Sequence, residues 1–290
     1  MEEIEVALAA EHEARACLSL MPEATGLSVE LLIAKQGGVM AGAAAIFWQS
    51  WAKPAGFPIL VHVLPDNRRR GVGRALADFA ANLAAEDTDG LWSFTPIASD
   101  DPAVGFLGAL SFGAHTLQFH YEATVDALYA HVEPLARRLD ARAAGAAQFE
   151  IGPLTDDVLE EVGWLISSSL GGGPISAMRR LRGRLAGAHA GQDKLDRSQV
   201  ATAGNQVAGA LLWRTEGDTA VVDARVVAPP WRGGLLNLRI LQSGLVRMRD
   251  EGVTRVRFQC DETVKDTIRL AQRCNAIETA RTALYYRPFD

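Results

Sequence analysis

The sequence predicts a mixed α/β (α+β) fold that is used twice along one chain. Strand-like and helix-like segments alternate throughout. A buried strand, a short loop and a helix begin at Val63 and again at Val227, about 164 residues further on. The composition, 48% hydrophobic and 22% charged, is that of an ordinary globular protein. Domains average about 150 residues, so a chain of 290 residues is long enough for two.

The first half of the chain predicts a sheet with helices inserted between its strands. The segment 59–64 is rich in β-branched residues and ends at Pro65, which cannot continue a sheet ladder. Leu76 and Leu83 share one face of the helix that follows, and Gly37–Gly38 supplies a turn between two strands. Strands are predicted at residues 4–8, 30–35, 39–48, 59–64, 91–94 and 115–125, and helices at 10–20, 71–86 and 102–110.

The second half repeats this order after an Ala- and Arg-rich segment, residues 127–147, which we interpret as a partly helical linker. The predicted domains are therefore residues 1–126 and 148–290. Strands are predicted at residues 148–152, 199–203, 206–214, 219–227, 254–259 and 280–287, and helices at 155–169, 235–251 and 263–273. Residues 176–187 form a basic amphipathic segment.

Composition also restricts the cellular and chemical setting. No apolar run approaches the ~18–20 residues of a membrane span, and the N-terminus is acidic where a signal peptide would be basic. Three widely spaced cysteines, Cys17, Cys260 and Cys274, predict neither a disulfide framework nor a zinc site. We therefore expect a cytoplasmic protein with no metal and no membrane partner.

Charge is distributed unevenly between the two halves. Residues 1–140 carry a net charge of −9 and residues 141–290 a net charge of +3. Four of the nine cations in the acidic half lie close together, at Arg68, Arg69, Arg70 and Arg74. So compact a cluster indicates a local anion site and not a nucleic-acid surface.

The segment from Val63 to Leu76, VLPDNRRRGVGRAL, is the most informative in the chain. Here a strand ends, a basic loop turns, and a helix begins at Gly71 and Gly73. Backbone amides at a helix start are unpaired, and with the helix dipole they attract phosphate. The glycine spacing is wrong for a dinucleotide fingerprint, and no Gly-Lys-Ser/Thr follows as in a P-loop. A glycine-rich turn with solvated arginines remains the structural alternative.

This segment resembles the acetyl-CoA-binding motif of the GNAT N-acetyltransferases, and the resemblance covers residues 4–125. It implies two GNAT-like domains, each a mixed, mostly antiparallel central sheet flanked by helices. The helix near residues 103–112 resembles the family's helix against the cofactor arm. The implied acetyl-CoA-binding residues are Val63, Leu64, Pro65, Arg68, Arg69, Arg70, Gly71, Val72, Gly73, Arg74 and Phe106.

The resemblance implies an N-acetyltransferase in which a small-molecule or peptide amine attacks the thioester directly. Neither a covalent enzyme intermediate nor a metal is expected. The family's usual Glu corresponds to Phe57, and its usual Tyr acid to Leu107. His62 is a candidate base or else a core histidine, and Tyr121 is a substitute candidate acid. Because the chain lacks the family's usual Glu and Tyr, a non-catalytic CoA-binding protein remains the alternative.

The second copy departs from the motif at the positions that matter for phosphate. Arg232 corresponds to Arg68, but Leu235 and Asn237 replace the two glycines. We therefore expect only the first domain to bind acetyl-CoA. The second would complete the acceptor cleft or take the place of a dimer partner, which favours a monomer with an intrachain pseudo-dimer.

Overall fold

The computed structural model describes residues 3–48, 55–142, 149–170, 181–183 and 197–289. The chain divides into two compact units, one made of residues 1–117 and 282–290 and the other of residues 118–281. These divisions differ from the boundaries predicted at residues 126 and 148. The reason is that both divisions fall inside long strands, which local sequence patterns assign to one domain only.

The first unit is a mostly antiparallel sheet with helices on both faces. Its strands run in the order β1-β2-β3-β4-β5-β13, with β4 and β5 parallel and the other neighbours antiparallel; the short β6 pairs with β13. The strands are β1 (Ile4–Leu8), β2 (Glu30–Gln36), β3 (Val39–Ile46), β4 (Phe57–Val63), β5 (Gly90–Ser93), β6 (Ile97–Ala98), the start of β7 (Gly113–Thr124) and the end of β13 (Ile277–Pro288). The helices are α1 (Glu11–Leu20), α2 (Val72–Ala84) and α3 (Ala103–Ala109).

Two apolar layers hold this sheet between its helices. Val72, Leu76 and Ala80 of α2 are buried against one face of the sheet. Cys17 of α1 packs with Met21 and with Ala43 and Ala45 of β3 on the other face. Burial of the apolar stripe of α2 explains why the helical spacing seen in the sequence was sufficient to predict it.

The last strand of the chain completes the sheet of the first unit. Residues Tyr286–Pro288 of β13 pair antiparallel with Gly90–Trp92 of β5. The Tyr285 amide donates to Ser93 Oγ at 3.0 Å, and Ser93 is only 4% exposed. Without β13, β5 would be an open edge with unpaired backbone groups.

The second unit has a corresponding sheet in the order β7-β12-β11-β10-β9-β8, where β7 contributes residues 118–124. β11 and β12 are parallel, and their other neighbours are antiparallel. The remaining strands are β8 (Glu150–Pro153), β9 (Gln199–Ala203), β10 (Gln206–Glu216), β11 (Thr219–Val227) and β12 (Arg255–Asp261). The helices are α4 (Val125–Arg142), α5 (Leu159–Leu170), α6 (Leu235–Asp250) and α7 (Lys265–Arg273).

Most of the predicted linker is the helix α4, which belongs to the core of the second unit. Val125, Leu128 and Val132 are buried in the same apolar cluster as residues of α6. The apolar spacing of these residues makes α4 a packed helix and not a connector. Residues 143–147 of the linker lie outside the described residues, as does most of the basic segment 176–187. In the part of the chain that the structure describes, no helix has the length and apolarity to cross a membrane.

Completion of β5 by β13 predicts that residues 1–130 alone will not form a stable unit. This fragment lacks residues 282–288, so β5 and the apolar side chains that Tyr285 covers become exposed. We expect aggregation or loss of cooperative thermal unfolding, measured by light scattering and circular dichroism.

The matched control is the same first unit with its missing strand restored, residues 1–117 joined to 282–290 through a Gly/Ser linker. It should stay soluble and unfold cooperatively. If residues 1–130 stay monomeric and unfold as cooperatively as this control, β13 is dispensable.

Candidate active site

The parallel strands β4 and β5 separate before β4 ends. Their pairing covers Phe57–Ile59 of β4 and Leu91–Ser93 of β5. The last bond is donated by the Phe94 amide to the Ile59 carbonyl at 3.1 Å. β4 continues to Val63 with β3 on its other side, and no described strand pairs with residues 60–63 on the β5 side. The gap leaves strand backbone available to a ligand.

The gap leads to the start of α2. A 3-10 turn, Pro65–Asn67, follows β4, and α2 begins after Gly71. Gly71 has φ +90°, a left-handed conformation that glycine adopts without cost, and Arg69 also has a positive φ of 61°. No side chain caps the helix, so its first amides are available to an anion.

Four arginines surround this helix start, and all four are exposed. Arg68 Nε donates to the Val63 carbonyl at 3.2 Å, and Arg74 Nη2 donates to the Ala109 carbonyl at 2.6 Å. These bonds hold the guanidinium groups close to the backbone turn and to the end of α3. Cations fixed beside unpaired amides form a phosphate-binding arrangement.

Gly73 allows α3 to approach α2 closely. A Cβ at this position would lie 2.6 Å from Phe106 Cε2 and 3.3 Å from Val63 Cγ2. The Phe106 ring therefore lies over the first turn of α2, and Phe106 remains 37% exposed. The structure thus brings the predicted cofactor-binding residues of 63–74 and Phe106 together. It also gives Gly73 a packing role in addition to the predicted approach of a phosphate.

The second unit preserves the backbone of this turn with different side chains. Arg232 Nε donates to the Val227 carbonyl at 3.1 Å, as Arg68 does to Val63. A 3-10 turn, Pro229–Trp231, again precedes the helix. However, α6 begins at Leu235, whose counterpart is Gly71, and the positive φ of 73° lies earlier, at Gly233. The helix α6 therefore begins without a left-handed residue at the position that corresponds to Gly71.

Comparison with known proteins agrees with this geometry. Residues 7–112 match the profile of the family described as Acetyltransferase (GNAT) family. These residues are therefore similar to a GNAT domain. The match lies within the first unit, and no curated protein sequence matches the chain.

Solved structures extend the GNAT fold to the whole chain. A GCN5-related N-acetyltransferase from Sphaerobacter thermophilus has a TM-score of 0.55 at 14% identity, covering 98% of this chain and 95% of that one. A tandem GNAT protein from the clavulanic acid biosynthesis pathway has a TM-score of 0.53 at 17% identity, covering 99% and 100%. A GCN5-related N-acetyltransferase from Kribbella flavida has a TM-score of 0.62 at 13% identity, covering 99% and 72%. The predicted fold class and the GNAT resemblance in its tandem form are confirmed.

His62 lies on the face of the GNAT sheet away from α2. It pairs with Ala43, whose side chain belongs to the layer beneath α1, while its neighbours Val61 and Val63 pack toward α2. Directly paired residues in an antiparallel ladder share a face. His62 is therefore separated by the sheet from the arginine loop, and its role as a base stays a prediction.

Tyr121 lies in the second unit, within an apolar cluster that also contains Cys260 and Ala271. It is 7% exposed, and burial raises the pKa of its phenol. The first unit, which holds the arginine loop, does not include Tyr121. These surroundings favour a core role for Tyr121 over the predicted role as acid.

A cluster of aromatic rings that was not predicted from the sequence lies on the same sheet face as His62. Trp92 of β5 lies 4.7 Å from Tyr286 and 5.0 Å from His115, measured between ring centroids. Tyr286 donates to the Ala55 carbonyl at 3.2 Å, and burial raises its pKa. No local pattern could reveal this cluster, because Tyr286 arrives with the last strand of the chain. Among the described residues, no group of His, Cys, Asp and Glu side chains is arranged to hold a metal.

The left-handed glycine predicts a sharp effect of Gly71→Val on acetyl-CoA binding. The nearest protein atom to a new Cβ, Ile4 Cδ1, is 3.6 Å away, so the strain comes from φ +90° and not from crowding. We expect the helix start to move and acetyl-CoA affinity to fall at least about 10-fold, equivalent to about 1.4 kcal/mol, by calorimetric titration.

Gly233→Val is the matched control, because Gly233 also has a positive φ and nothing within 4 Å of its Cβ position. It should cost similar stability and leave acetyl-CoA affinity unchanged. Equal losses of affinity in the two variants would contradict an assignment of the site to the first unit.

Proposed function

We propose that the protein is a cytoplasmic acetyl-CoA-dependent N-acetyltransferase that acts on the amine of a small molecule or peptide. This proposal rests on one arrangement in the first unit: the gap between β4 and β5 leads directly to the start of α2, which no side chain caps. We call this arrangement the acetyl-CoA path. The match to the GNAT family covers these residues. The second unit, with a changed turn, serves in this proposal as a structural partner.

The residues of this path fit the chemistry of acetyl-CoA. The backbone of β4 beyond Ile59 would form hydrogen bonds with the pantetheine amides, since no described strand pairs with it on that side. Amides at the start of α2 and the four exposed arginines would hold the pyrophosphate. Phe106 would pack against the arm where it lies over Gly73.

Acetyl-CoA carries its acetyl group as a thioester of the CoA sulfur. In the proposed transfer the acceptor nitrogen bonds to the acyl carbon, the carbon–sulfur bond breaks to release CoA as its thiolate, and a base takes the amine proton. His62 lies on the sheet face opposite α2, where the family resemblance places the acceptor, and is our candidate base. The Trp92 and Tyr286 rings would line that face.

A second candidate function is CoA binding without turnover. Phe57 and Leu107, which correspond to the family's usual Glu and Tyr, are 8% exposed and belong to the apolar core beside α2. Neither can exchange a proton. This observation favours a binding protein unless another group supplies the acid and base.

The two functions differ in turnover but share one binding site. We expect calorimetric titration to give one acetyl-CoA per chain, and a panel of amines to release free CoA thiol in proportion to acetylated product. One site with no amine-dependent thiol release would favour the non-catalytic function. Two equivalent sites, or none, would contradict both.

A further inference from the structure

β11 pairs with β12 only over Thr219–Val221, and no described strand pairs with β11 on that side from Val222 to Val227. This gap beside β11, which we call the groove, corresponds to the β4–β5 gap. Arg225 lies on this unpaired stretch. It shares a strand face with Val227, which packs in the cluster beneath α6.

The Arg225 side chain crosses this groove to reach α7. Its Nη2 donates to Thr267 Oγ1 at 2.7 Å, and Thr267 is 7% exposed. At the repeat of about 164 residues, the corresponding positions of the first unit are Val61 and Ala103. The first unit therefore has apolar residues at both positions, where the second unit has a hydrogen-bonded cation and its acceptor.

Within the described part of the chain, Arg225 forms no ion pair. The charge of Asp266 favours the protonated guanidinium, but the Asp266 side chain is 86% exposed and forms an ion pair with Arg269. Burial raises the pKa of the nearby Cys260 thiol, so the thiol is neutral at pH 7. Burial also lowers the pKa of Arg225 itself. Arg225 is half-buried. A half-buried cation without an ion-pair partner is unfavourable, and a bound anion would relieve this cost.

We propose that the groove between β11 and α7 binds a small oxyanion, a carboxylate or a phosphate, through the guanidinium of Arg225. Guanidinium groups carry five N–H donors in a planar fork that fits such anions. Thr267 Oγ1 accepts a hydrogen bond from one of these N–H groups. The proposed site is separate from the acetyl-CoA path and does not depend on acyl transfer.

The test uses the full chain and measures its melting temperature in sodium acetate, sodium phosphate or sodium chloride at equal ionic strength. An anion at tenfold its Kd multiplies the folded-to-unfolded ratio about 11-fold, which raises Tm by roughly 3–6 °C. We expect acetate, phosphate or both to do this relative to chloride, and the two arms distinguish a carboxylate from a phosphate site.

Variants separate this groove from the α2 loop, which also attracts phosphate. Arg225→Leu should remove at least one anion-dependent rise in Tm and leave acetyl-CoA affinity unchanged. Arg269→Leu, on the exposed side of the same helix, should keep the rise. If Arg225→Leu does not fold, Thr267→Val serves instead, because it frees one donor of Arg225 and should preserve or strengthen the response.

Three outcomes would overturn the proposal. In the first, neither anion raises Tm relative to chloride. In the second, Arg225→Leu responds to both anions as strongly as the unmodified chain. In the third, Thr267→Val abolishes the response, which would mean that Arg225 acts only as a structural bridge.

Discussion

Antiparallel pairing between β5 and the last strand of the chain is the interaction on which the first unit depends. β5 has only four residues, all buried, and its other neighbour β4 diverges from it after Ile59. Gly90 must lack a side chain, because a Cβ there would lie 2.4 Å from the Arg287 carbonyl oxygen. The ion pair of Arg287 with Asp78, 2.9 Å apart, also links β13 to α2. The strand that forms one wall of the gap is thus positioned by residues almost 200 positions away.

The two units share one backbone arrangement and differ in the side chains that it carries. In both units a strand extends beyond its parallel neighbour and is followed by a 3-10 turn. An arginine Nε then donates to the carbonyl of the last residue of that strand. The binding that we propose for each unit depends on a few positions where the two differ. Gly71 gives the first unit a left-handed residue directly before its helix, where the second has Leu235. Val61 packs against the apolar core beside α2, whereas Arg225 at the corresponding position places a cation beside α7.

Local patterns predicted most of the fold and the turn that leads into α2, because strands, helix faces and glycine turns are encoded by neighbouring residues. The strand at Thr219–Val227 was predicted with its observed bounds, and α2 within two residues at each end. The division of β7 and β13 between the units could not be predicted, since strand pairing is not local. Helix α4 was underestimated because an Ala-rich segment with Pro134 resembles a connector. The ring cluster of Trp92 and Tyr286 could not be predicted either, because it forms only when β13 pairs with β5.

The central claim is that acetyl-CoA binds along β4 and the start of α2 in the first unit alone. Amide hydrogen exchange with and without saturating acetyl-CoA tests it most directly, because it reports both turns in one intact chain. The account predicts slower exchange in residues 61–75 and unchanged exchange in residues 225–239. Slower exchange at the second turn alone, or equally at both, would contradict it.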